Sequence, residues 1–178
     1  IIFSDETWRT SSGPLQENGL YYGERYDARI LIDRWDQPGF DDKSWERAVS
    51  VAGYPLVSQM MAPVRVTERL RPKSVNRLPS GAFIFDFGQN FSGWTRLRVE
   101  GPMGVEVRMR HAELLNDDGT LNVGPNENAE ATDVYILRGG GPEIYDPRFT
   151  YHGFRYVEMT GFPGEPGPDA LEGRFVHS

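Results

Sequence analysis

The 178-residue chain carries 19 Lys and Arg against 26 Asp and Glu, a net charge of −7 at pH 7. That balance argues against a nucleic-acid partner, which requires a basic face, and no apolar run approaches the length of a membrane span. Cysteine is absent, which excludes disulfides, thiolate chemistry and Cys-based zinc sites.

Twenty Gly and 13 Pro are spread along the chain and cut it into many short elements. The length allows one sizeable core. Together these predict an all-β fold, one antiparallel β-sandwich of jelly-roll type, with residues 51–178 as its bulk and 1–50 packed along it. Ile1–Phe3 reads as a strand already under way, so the chain is expected to be a piece of a longer protein.

Asp5-Glu6-Thr7-Trp8 is a turn that leads into a short strand, and Ser11–Pro14 breaks the chain again. Tyr21 to Arg29 is rich in aromatics and charges. In Trp35–Trp45, Pro38-Gly39 sets a turn, and Asp41 or Asp42 is placed to N-cap one helical turn that packs Phe40 and Trp45. Residues 51–57, 64–68 and 75–78 read as short strands that Pro55, Pro63, Pro72 and Pro79 hold to sheet edges.

The most regular stretch is Gly81–Leu115, in which Phe83/Phe85/Phe87, Thr95/Leu97/Val99 and Val105/Val107/Met109 each recur with a period of two. It predicts a three-stranded meander with turns at Gly88–Gly93 and Gly101–Gly104. Gln89 and Asn90 are then turn residues whose amides bond local main chain. Asn116–Leu121 is a hairpin-type turn. Asn122–Ala131 is polar and aperiodic, a surface loop that is either a mobile excursion or a docking element. Asp133–Arg138, Tyr145–Met159 with a bulge at Gly153, and Leu171–Val176 complete the strands.

His111 shares parity with Val107 and Met109 and is expected in the core, whereas His152 is placed opposite Phe149 and Tyr151. No HxH or HExxH spacing supports a metal, and no nucleophile elbow or phosphate-cradling loop is present, so no metal, cofactor or catalytic residue is assigned. Trp94 shares parity with Arg96 and Arg98 and is a candidate exposed sugar platform. Asn126, Glu127, Asn128 and Glu130 are candidates for sugar binding or for contact with another domain.

Several segments taken together resemble bacterial α-L-rhamnosidases. They include Tyr22–Arg29, Trp35–Asp42, Pro63–Glu68, Asp86–Trp94, Arg110–Glu113, Ala131–Asp133, Phe149–Glu158 and Val176–Ser178, in the family's order. The resemblance implies the tail of an N-terminal domain followed by a concanavalin-like sandwich. It implies that a helical barrel elsewhere in the same polypeptide, as partner, hydrolyses terminal rhamnose from rhamnose-containing glycans. The chain itself is then a non-catalytic brace; the alternative is a carbohydrate-binding module with its own sugar site.

Overall fold

The structure, a computed structural model, describes residues 5–178. The expected strand at Ile1–Phe3 lies outside the described residues. In chain order the strands are β1 (Arg9–Thr10), β2 (Leu15–Gly19), β3 (Gly23–Asp27), β4 (Glu46–Arg47), β5 (Arg65–Leu70), β6 (Ser74–Arg77) and β7 (Phe83–Glu100). They continue with β8 (Glu106–Ala112), β9 (Leu114–Leu115), β10 (Leu121–Asn122), β11 (Thr132–Ile136), β12 (Pro142–Tyr145), β13 (His152–Thr160) and β14 (Leu171–His177). The helical segments among the described residues are three single 3₁₀ turns, as an all-β reading requires.

Ten strands form one sheet ordered β2-β3-β11-β8-β13-β7-β14-β5, with β6 and β12 also on β7. The organising element is β7. Its first residues pair with β6 and β13, and its last with β14 and β12. One long strand therefore serves both layers of the sandwich. The layers close over a core of Phe85, Phe87, Phe91, Leu97, Val107, Met109, Phe154, Val157 and Leu171. Most pairings are antiparallel; β3 joins β11 in parallel.

The three-stranded meander expected over Gly81–Leu115 does not form as such. Gly88–Gly93 does not reverse the chain, because β7 runs unbroken from Phe83 to Glu100. Gly88, at φ +79°, bends the strand, and Asp86 Oδ1 accepts the Gly88 N–H at 2.6 Å. Gly93 lets β14 approach: a Cβ there would lie 1.8 Å from the Arg174 carbonyl oxygen. The turn-forming residues thus serve curvature and close approach within a continuous strand. Asn90 is exposed, and its amide donates to Glu113 Oε1 at 3.0 Å instead of bonding local main chain.

Other expectations shift in detail. Residues 51–64 form no strand and lie exposed, with Tyr54 at 91%. Around Phe40 the Asp-capped unit is a turn without a helix. Trp45 N–H reaches Asp42 O at 2.9 Å, and the Phe40 and Trp45 rings meet edge-on at 5.4 Å. The bulge in β13 falls between Phe154 and Tyr156, one step past Gly153. The Asn116–Thr120 hairpin forms as expected: Asp118 Oδ1 accepts from Thr120 N and Oγ1, at 3.0 and 2.6 Å.

Ile84, on the second face of β7, is also buried, in a smaller cluster with Ala112 and Leu121. Leu115 and Val123 pack against that cluster, so the hairpin and the start of the polar loop cover a face that alternation alone would leave to water.

Candidate functional site

Three places concentrate polar chemistry. The first is an interior network. His111 on β8 and His152 at the start of β13 stack at 4.3 Å between ring centroids. Both are buried, as is Asp133 on β11. His111 Nδ1–H donates to Ala131 O at 3.0 Å, and its Nε2 accepts from the Thr95 hydroxyl at 3.3 Å. Burial foremost, with His152 next, lowers the His111 pKa to about 3, so the ring is neutral. His152 Nε2–H sits 3.2 Å from both oxygens of Asp133. Burial raises the Asp133 carboxyl, but the hydrogen bond and charge of His152, with the Glu24 amide, outweigh it and hold it below the usual carboxylate range.

The network continues through Glu24 on β3. Its Oε1 accepts from Tyr145 Oη at 3.0 Å, and its Oε2 from the amides of Arg148 and Phe149 at 2.9 and 3.1 Å. Burial, with Asp133 and Glu24 nearby, pushes the Tyr145 phenol up, so it remains a donor. Two buried carboxylates therefore tie β3, β11 and the β12–β13 connection together. His111, Asp133 and His152 bring one ligand atom each within 4.8 Å of one another, a donor set that a divalent metal accepts. Those atoms are, however, committed to Thr95, to the Glu24 amide and to each other, so the geometry fits a hydrogen-bonded interior better than a coordination sphere.

The sequence places His111 correctly and misses its partners. On the approach to β13, Thr150 and His152 turn inward while Phe149 (63% exposed) and Tyr151 (48%) turn outward. The parity is as expected, but the polar residues take the inner side. Asp133 and Glu24 read as ordinary members of a surplus of acids, since nothing local marks them as buried.

The second place is the loop after β10. It is pinned at three points: Val123 packs on the small core, Asn126 Nδ2 donates to His111 O at 3.0 Å, and Ala131 N–H reaches Tyr21 O at 3.0 Å. The Asn126 amide is therefore spent inside the fold. Glu127, Asn128 and Glu130 are exposed. Beside them Leu20, Tyr21, Pro125, Ala129 and Tyr151 line a cleft of about 420 Å³, and Glu130 lines a second of about 320 Å³ with Arg108, Arg110 and Glu158.

The third place surrounds Trp94, which lines a separate groove of about 820 Å³ between β5, β7 and the connection after β12. Trp94 is half-buried and less open than its parity implies, because its Nε1–H donates to Asp146 Oδ1 at 3.3 Å. Arg96 Nε holds Asp146 Oδ2 at 2.7 Å. Trp94 thus lines a different groove from Asn126 and Glu130.

Comparison with known proteins shows what this arrangement belongs to. Residues 76–177 match the bacterial alpha-L-rhamnosidase concanavalin-like domain, and residues 1–68 match the alpha-L-rhamnosidase N-terminal domain. An alpha-L-rhamnosidase of Streptomyces avermitilis is 46% identical over 99% of this chain, which covers 18% of that protein. Its crystal structure complexed with L-rhamnose superposes with a TM-score of 0.96. The alpha-L-rhamnosidase from Dictyoglumus thermophilum gives 0.96 at 48% identity, over 99% of this chain and 20% of that one. That from Aspergillus terreus gives 0.93 at 37%, over 99% and 21%. The chain therefore spans about a fifth of the length of the relatives it matches, and it belongs to the family of bacterial alpha-L-rhamnosidase concanavalin-like domains.

Proposed function

We propose that the chain is the non-catalytic β-sandwich part of an α-L-rhamnosidase, a glycoside hydrolase that removes terminal α-L-rhamnose. The observation that carries this reading is the near-complete match of this chain to rhamnosidases of which it covers only about a fifth. In this reading catalysis belongs to a helical barrel elsewhere in the same polypeptide, and rhamnose-containing glycans meet the protein there. The sandwich braces that barrel. The described residues before 51 join the sandwich through β2 and β3, with the parallel pairing of β3 and β11 as the seam.

The exposed Glu127, Asn128 and Glu130 are the contact residues of this brace. Their loop is anchored at Val123, Asn126 and Ala131, so it presents those side chains at low ordering cost. The test replaces residues 127–130 by a Gly-Ser turn in the longer polypeptide. Rhamnoside turnover or the cohesion of the two parts falls, while the 178-residue chain carrying the same change keeps its melting temperature. Full activity and unchanged cohesion would remove the loop from the interface.

A further inference from the structure

We propose that the groove at Trp94 is a subsite for a carboxylate-bearing sugar, a uronic acid residue of a glycan chain. Four guanidiniums line it, from Arg69, Arg96, Arg148 and Arg174, against the carboxylates of Glu68 and Asp146. Asp146 is already spent: Trp94 and Arg96 each hold one of its oxygens, and Arg174 Nε stands 3.7 Å away. Arg174 is buried and paired with Glu172 at 2.8 Å. Arg69 and Arg148 remain, exposed, with no ion pair to their guanidiniums among the described residues. Arg69 and Arg148 thus bring two free guanidiniums to one groove, a pair of charged donors that an anionic ligand fits.

The free groups define that ligand. Guanidinium forks recognise a planar carboxylate through paired N–H donors. The hydroxyls of a neutral sugar also accept from guanidiniums, but one N–H at a time and without charge. A carboxylate takes both N–H groups of a fork and offsets the cations, so the groove favours the acid. Trp94, held by its Nε1–H, offers a rigid aromatic surface to the apolar C–H side of a pyranose ring. The groove volume suits one or two sugar units. A polyanion such as nucleic acid is disfavoured by the overall negative charge. That the anion is a sugar acid rests on the rhamnosidase reading above; the preference for an anion does not.

The experiment is a calorimetric and tryptophan-fluorescence titration of the 178-residue chain with digalacturonic acid, with the neutral disaccharide of the same linkage, and with acetate. Digalacturonate binds saturably, at least about tenfold tighter than the neutral disaccharide, and weakens with salt. The double variant Arg69→Gln/Arg148→Gln, both exposed positions, abolishes the preference for acid over neutral. Trp94→Phe, with near-UV dichroism confirming its fold, weakens binding and keeps the preference. No saturable binding, equal affinity for the two disaccharides, or an unaltered preference in the double variant would overturn the proposal. Acetate binding as tightly as digalacturonate would also overturn it, by showing an anion site without sugar recognition. Rhamnose release by the longer polypeptide is read separately, so a failed subsite and a failed rhamnosidase reading remain distinguishable.

Discussion

Acidification should unfold this domain through His111. Its pKa is lowered from 6.5 to about 3 in the folded chain, with burial the leading cause. Above about pH 6.5 the ring is neutral in both states and the difference contributes nothing. Below that, the unfolded chain takes up a proton that the native chain refuses. Stability is therefore lost progressively as pH falls from 6.5 towards 3. At about 1.4 kcal/mol per pH unit of differential protonation, moving from pH 7 to pH 5 costs about 2 kcal/mol. The groups packed on His111 are His152, Asp133, Thr95, Phe154 and the Ala131 carbonyl. Asp133, lowered from 3.8, adds a loss of the same sign only at still lower pH. Urea unfolding of the chain and of His111→Gln at both pH values isolates the effect. The variant is less stable at pH 7, because Thr95 and Ala131 lose part of their pairing, but its deficit narrows by about 2 kcal/mol at pH 5. A deficit that stays constant with pH would refute the claim that His111 resists protonation in the fold.

Glu24→Gln replaces an acceptor of three donors with an amide whose NH₂ faces one of them. It should cost about 1–3 kcal/mol in urea unfolding, where a change below about 0.5 would show the site to be solvated. Gly93→Ala drives a Cβ into the Arg174 carbonyl. A loss above about 3 kcal/mol, read as a collapse of the melting temperature, is expected, and near-wild-type melting would mean that β14 does not approach β7 there. Asn90→Ala breaks only an exposed bond to Glu113, so its unfolding free energy in urea should stay within about 0.5 kcal/mol of the parent.

The sandwich was legible because its strands alternate. Thr95, Leu97, Val99, Val107, Met109 and His111 all lie buried on the face their period of two assigns. Continuity across Gly88–Gly93 was not legible: Gly-Gln-Asn is turn chemistry whenever local preference decides, and here the pairing of β13 and β14 on either half of β7 overrides it. The interior network was hidden for a different reason. Glu24, Asp133 and His152 are scattered along the chain and meet through the β3–β11, β11–β8 and β8–β13 pairings. Trp94 was a candidate from parity alone, whereas the unpaired guanidiniums beside it emerge only when β5 and the connection after β12 are brought to β7.

The central claim, a rhamnosidase sandwich that does no chemistry itself, meets its most direct test in an aryl α-L-rhamnoside assay. The purified 178-residue chain and the longer polypeptide that contains it are compared at equal concentration. The account predicts release of the aryl group by the longer polypeptide and none above background by the chain alone. Turnover by the chain alone at a rate comparable to the longer polypeptide would contradict it.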